Sequence, residues 1–197
     1  MKRINIKNGV FISVLLVLFL TVTICKILSE EITFWTILMR LPTAITIYGF
    51  ALIIFSKWLW KYPIFKGWLV LIPNLSGEWT GKVKTTYQDP ETGKKTSSKD
   101  MKATIKQDLY NISIIMSTKE MKSSSFVAAF DIDKNQNRNN LCYSYTSRPK
   151  PDYRDKSPMH DGTALLDIIG NPPSELNGEY WTTRRTTGLI EFKKPRK

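Results

Sequence analysis

Residues 76–87 read SGEWTGKVKTTY. Trp79, Gly81, Val83, Thr85 and Tyr87 fall on one side of an extended chain and the charged residues largely on the other, the period of two that marks a half-buried strand. The pattern returns in MKATIKQ (101–107), ISIIMS (112–117), SSSFVAAFDID (123–133), LCYSYTS (141–147), GTALLDIIG (162–170), GEYWTT (178–183) and GLIEFKK (188–194). Turn signals part them: Asp89-Pro90 and Thr92-Gly93 in QDPETGKK (88–95), then Asp108 to Asn111. The polar stretches KNQNRNN (134–140) and RPKPDYRDKSPMHD (148–161) read as loops. Helical periodicity is almost absent from this part of the chain. Eight antiparallel strands predict a closed up-and-down β-barrel, because closure leaves no strand edge unpaired. A barrel of eight strands has room for one small ligand.

Upstream the pattern changes. Residues 10–28 read VFISVLLVLFLTVTICKIL, with Lys26 the sole charge. As a helix this run rises about 28 Å, close to the ~30 Å hydrocarbon thickness of a bilayer. A second apolar run extends from about Leu41 to Leu59, with Lys57 placed to snorkel. Two transmembrane helices, about 10–28 and 41–59, are therefore expected. They divide the chain into a membrane hairpin with a juxtamembrane linker, 1–73, and a β-barrel domain, 74–197. A cleaved signal is not supported, because no small-x-small site follows the first run. Ile24 before Cys25 is too bulky for a lipoprotein signal.

Lys2, Arg3, Lys7, Lys57, Lys61 and Lys66 flank the helices on one side, whereas the connecting loop carries Glu30 and Glu31, with Lys26 and Arg40 at its margins. Six basic residues against two place both termini in the cytoplasm. Trp35 on one side, and Trp58, Trp60, Tyr62 and Trp68 on the other, read as interfacial anchors. Pro42 fits the first turn of the second helix, where proline is tolerated. Ser13, Thr21, Thr23, Thr43, Thr46, Tyr48 and Gly49 offer small or hydrogen-bonding contacts for helix association, although no G-x-x-x-G is present.

The formal net charge is +12, half of it within residues 1–73. It suits either an anionic lipid surface or an anionic ligand. Long nucleic acid would require a contiguous basic stripe, and here lysines are interspersed with acids. Cys25 and Cys142 lie in different domains and form no disulfide framework, which suits a reducing compartment. Catalytic chemistry is missing as well. The single histidine, His160, lies in a polar loop; with two remote cysteines it cannot build a zinc site. There is no G-x-S-x-G or H-E-x-x-H. Gly93-Lys94-Lys95-Thr96 lacks the earlier glycine and the following helix of a phosphate loop. Asp131 and Asp133, or Asp152 and Asp155, have no identifiable partner acid. The chain reads as a non-enzyme that needs no cofactor or metal.

Two segments carry binding chemistry. Residues 178–187, GEYWTTRRTT, run from a strand into a basic turn. Trp181 can stack on a base, Arg184 and Arg185 can hold phosphate, and Thr183 can add a hydroxyl; alternatively this is a plain hairpin with solvated arginines. In residues 141–146, Leu141, Tyr143 and Tyr145 share a face, so the tyrosines either line a pocket or fill the core. Lys82 and Lys84 of the first strand are the next candidates.

Gly77-Glu78-Trp79 resembles the Gly-x-Trp that opens lipocalin-like barrels, which implies Trp79 plugging one end. With two membrane helices, a short aromatic linker, LSGEWTGKV (75–83) and LNGEYWTTRRTTGLIEF (176–192), the chain resembles a known family. It is the two-transmembrane, β-strand-rich effector family of cyclic-oligonucleotide-based antiphage signalling systems (CBASS). The resemblance implies a partner nucleotidyltransferase that makes a cyclic dinucleotide on infection. It further implies that the barrel binds this messenger, the protein forms homo-oligomers, and the helices disrupt the bacterial inner membrane and kill the cell. No family motif maps onto a pocket residue by residue. The competing reading is a membrane-tethered lipocalin-like carrier of an apolar ligand, whose lumen would be apolar where an effector's would hold basic and hydroxyl groups.

Overall fold

The computed structural model describes residues 3–86, 98–133, 135–154 and 157–195. Tyr87, the turn at 88–95, the Gly93–Thr96 stretch and Asp155 lie outside them. Two units form, Lys2–Ile72 with Asp108–Tyr110 and Pro73–Gln107 with Asn111–Lys197.

The first unit is built on α1 (Ile6–Ile27) and α2 (Phe34–Lys57). Both are long and apolar enough to cross a bilayer, and side chains such as Phe11, Phe19 and Phe50 are exposed. α1 starts four residues before the apolar run because the Asn5 side chain accepts the Asn8 N–H and caps the helix. α2 starts well before residue 41. Thr33 and Thr36 form a reciprocal capping box, and Arg40, expected at the loop margin, lies within the helix. Its guanidinium pairs with Glu30, the Nε donating to Oε2 at 2.9 Å. This hydrogen bonding holds the Glu30 carboxyl below the usual carboxylate range. Pro42 is therefore inside the helix rather than in its first turn. Thr21, Cys25 and Ala44 are buried, and the Ser13 and Tyr48 hydroxyls share a hydrogen bond between the helices.

Trp58, Tyr62 and Trp68 are exposed, but Trp60 is only 1% exposed and so is not an interfacial anchor. Residues 3–5 pair with 69–71 through Asn5 N–H to Leu69 O and Leu71 N–H to Arg3 O, both 2.9 Å. Leu109, also buried, donates its N–H to Ser56 O at 3.0 Å and accepts from Arg3 at 3.3 Å.

The second unit is the barrel. Its strands are β1 (Gly77–Thr85), β2 (Lys99–Gln107), β3 (Ile112–Ser117), β4 (Met121–Asp133), β5 (Arg138–Pro149), β6 (His160–Ile169), β7 (Glu175–Thr182) and β8 (Thr187–Lys193). Each pairs antiparallel with its neighbour in sequence, and β1 with β8 closes the ring. The strands reach further into the polar stretches than their hydrophobicity indicated. Arg138–Asn140, expected as loop, belong to β5, where Arg138 reaches Asp131 at 3.2 Å and Asp133 at 3.7 Å on β4. Arg148 and Pro149, and His160 and Asp161, are likewise strand ends. Outward-facing polar ladders extend pairing without any apolar signal.

The alternating inward residues form the core, including Ile105, Phe130, Leu141, Leu166 and Phe192. Burying each is worth roughly 1.5–3 kcal/mol. One end of the barrel is closed by Trp79, fully buried, whose indole N–H donates to Leu75 O at 2.8 Å. Gln107 completes this end: its Oε1 accepts the Leu75 N–H at 2.8 Å and its Nε2 donates to Pro73 O at 2.9 Å.

Candidate functional site

The opposite end has different chemistry. Strand register sets Tyr145 of β5 beside Gly162 of β6, and Gly162 beside Thr182 of β7. One level deeper, Tyr143, Ala164, Tyr180 and Gly188 follow one another around the wall. Tyr143, Tyr145 and Tyr180 all point inward and are buried, the first two with ring centroids 5.8 Å apart. The glycines make room for them: a Cβ at Gly162 would lie 2.6 Å from the Tyr145 hydroxyl, and one at Gly188 2.6 Å from the Tyr180 ring. Tyr143 donates to Met116 Sδ at 3.1 Å, and Ser123 and Ser147 share a buried hydrogen bond of 2.8 Å. Burial pushes all three tyrosine hydroxyls above their ordinary pKa, with nearby tyrosine adding to the effect at Tyr143 and Tyr145 and the Thr85 hydroxyl opposing it at Tyr180. They are neutral hydrogen-bonding groups over the whole physiological range.

Above them lies the turn from β7 to β8. Thr183 ties it to β6, its N–H donating to Asp161 O at 2.9 Å and its hydroxyl at 3.2 Å. Arg184, half-buried, donates to the Ser157 hydroxyl at 2.8 Å. Arg185 is exposed, with a left-handed φ of 60° that ordinarily favours glycine. Among the described residues neither arginine forms an ion pair.

Trp181 does not join the tyrosines. Strand alternation turns Tyr180 inward and Trp181 outward, where it stands between Thr163 and Thr187 and is 47% exposed. Of the residues expected to bind, Thr183, Arg184 and Arg185 sit on the rim and Trp181 on the outer wall. Tyr180 escaped the sequence reading, although the alternation Leu176, Gly178, Tyr180 was its signal. Lys82 and Lys84 also face outward, Lys84 towards Glu191 at 3.6 Å. His160 opens β6 rather than lying in a loop, half-buried, with its Nδ1 3.0 Å from Pro158 O. No cluster of metal ligands occurs among the described residues.

The lumen is thus apolar towards the Trp79 end and hydroxyl-bearing towards the rim, with cations on the rim and outer surface. That arrangement offers planar rings, neutral donors and guanidinium groups, the equipment of recognition.

Fold and site define a small closed receptor barrel carried on two apolar helices. The chain belongs to the Cap15 family: residues 70–194 match the model of the Cap15 cyclic dinucleotide receptor domain. A curated relative, CD-NTase-associated protein 15 of Staphylococcus schleiferi, is 33% identical over 152 residues, 76% of this chain and 76% of that protein. This is the family that LSGEWTGKV and LNGEYWTTRRTTGLIEF resemble.

Proposed function

We propose that the chain is the membrane-anchored effector of a CBASS system, with the barrel as its receptor for a cyclic dinucleotide made by a partner nucleotidyltransferase. Family membership over residues 70–194 is the observation that carries this reading. The ligand meets the rim at the β7–β8 turn. Arg184 and Arg185 contact its two phosphates, Thr183 adds a hydroxyl, and a base stacks on Tyr145, with Tyr143 beneath it. The chain then self-associates and its helices disrupt the inner membrane. Both termini are cytoplasmic, because the basic flanks lie on the side of the barrel-bearing chain end. The chain binds its messenger and does not turn it over.

The apolar half of the lumen favours a second reading, a carrier of an apolar ligand. Against it, the side chains there are buried, Leu141 and Phe192 among them, so little apolar surface inside is accessible.

The test is calorimetry of the full chain in detergent with cyclic di-AMP, cyclic di-GMP and cyclic GMP-AMP. A charge-assisted hydrogen bond is worth ~1.5–3 kcal/mol, so Arg184→Ala and Arg185→Ala should each weaken binding about tenfold to a hundredfold. Unchanged affinity in both moves the site elsewhere. Deleting residues 1–73 should abolish toxicity in cells that also make the messenger; killing by the truncated chain would show that the membrane is not the target.

A further inference from the structure

Beside the rim lies a patch of one sign that the sequence conceals. In an up-and-down barrel the β3–β4 turn and the β7–β8 turn lie at the same end. Around the β3–β4 turn stand Lys99 and Lys102 of β2, Lys119, Lys122 of β4, Arg148 of β5 and Lys150. Asp100, Glu120 and Asp152 intersperse them along the chain, and the fold sorts the two signs. Glu120 accepts from Lys99 at 2.6 Å, and its carbonyl takes the Lys150 N–H at 2.9 Å, tying the end of β5 to the turn. Asp100 stands opposite Lys82 of β1. What remains is an outward row without an acid: Lys102, Ser117, Lys122 and Arg148 follow one another in register across β2 to β5. All four are exposed, and among the described residues the three cations form no ion pair. Residues 87–97 and 155–156 hold acids and bases in equal number and so add no net charge.

We infer that this row is an electrostatic collector, which steers the anionic messenger towards the β7–β8 turn without holding it there. The inference rests on the receptor reading above and adds residues that act on arrival rather than on residence. The row does not serve the fold. Lys122 and Arg148 are direct cross-strand partners, and like charges so placed repel and destabilise. It does serve an anion. A surface field of one sign raises the local concentration of ions of the other sign and speeds their encounter. The field also reaches far enough. Arg148 lies two strands from β7, about 10 Å along the wall at ~4.8 Å per strand. An exposed charge is felt over ~8 Å at physiological ionic strength. Orientation separates the row from Arg184 and Arg185, because its side chains stand on the outer wall of β2 to β5 and not on the turn. Charges of this kind set the association rate and its salt dependence, whereas contacts set the dissociation rate.

Surface plasmon resonance of the full chain in detergent, with cyclic di-AMP, cyclic di-GMP and cyclic GMP-AMP as probes, measures the two rates separately. The combined variant Lys102→Gln, Lys122→Gln and Arg148→Gln should bind about tenfold more slowly at about 0.01 M salt, with its dissociation rate unchanged. At about 1 M salt, where the screening length shrinks to ~3 Å, the difference should vanish. A second variant, Lys106→Gln, Arg138→Gln and Lys193→Gln, removes the same charge from exposed positions at the Trp79 end and should associate like the parent. Circular dichroism verifies that both fold. Equal slowing in the two variants would mean that net charge alone acts, and overturns the row. A loss carried by faster dissociation would make these residues contacts, and overturns it too. If one probe binds and reaches every variant equally fast, the collector falls and the receptor stands. If no probe binds the parent, both fall.

Discussion

The two ends of the barrel are built to opposite specifications. At the Trp79 end the groups that close the barrel are answered: the indole N–H by Leu75, and both ends of the Gln107 amide by Leu75 and Pro73. At the rim the tyrosine hydroxyls sit under a turn whose Arg184 donates to a serine and whose exposed Arg185 holds an unfavourable φ. The first end spends its residues on closure. The second keeps charge, rings and strained backbone at the surface, where they serve stability poorly and a ligand well.

Substitution at the two ends should break the comparison most sharply. Trp79→Ala removes a fully buried ring and leaves the Leu75 carbonyl without its donor, so a loss of about 3–5 kcal/mol is expected. Arg184→Ala removes one half-exposed hydrogen bond and should change stability by about 0.5 kcal/mol or less, while binding falls. Thermal unfolding in detergent, followed by near-ultraviolet circular dichroism, measures both. A Trp79→Ala barrel that melts with the parent would mean this end is not what holds the barrel shut.

Much of this was legible in the sequence. Strand alternation announced all eight strands and the inward Tyr143 and Tyr145, because a single buried face enforces a period of two. The hydrophobic signal failed where polar side chains extend a strand, as at Arg138–Asn140, since their pairing depends on β4 across the sheet. The start of α2 was written in Thr33 and Thr36, yet Arg40 and Pro42 masked it; Glu30 neutralises the one, and the helix accommodates the other. Trp60 could not be told from its exposed neighbours Trp58 and Trp68, because its burial depends on a fold that aromatic content does not encode. At the candidate site, adjacent strand residues face opposite ways, so Tyr180 and Trp181 are separated by the barrel wall, and no residue type announces which face a ligand meets.

Alkali should sharpen the contrast at intermediate scale. Tyr143, Tyr145 and Tyr180 have folded-state pKa values raised by burial. A raised value means that the protonated hydroxyl is favoured in the fold. Their contribution to stability is fully present below the unfolded value of about 10 and is lost as pH rises beyond it. The melting temperature should therefore fall between pH 9 and pH 11. Tyr143→Phe, whose hydroxyl donates only to a thioether, should flatten that fall. An equal fall in the variant would assign the alkaline sensitivity to other groups.

A small gain rather than a loss is expected at Arg185, where site and fold pull in opposite directions. Its φ of 60° places a long, charged residue where glycine would be relaxed, at a cost of about 1–2 kcal/mol for a residue bearing a Cβ. Arg185→Gly removes that strain but enlarges the freedom of the unfolded chain, which returns roughly 0.4–1 kcal/mol. The net should be a stabilisation between zero and about 1.6 kcal/mol, read as a small rise in melting temperature. Arg185→Ala keeps the Cβ and should show no such rise. If the side chain meets a phosphate, both variants should lose affinity alike while only the glycine gains stability. A glycine variant that melts lower than the parent would show that the arginine side chain itself supports the turn, and the strain would then have a structural rather than a binding purpose.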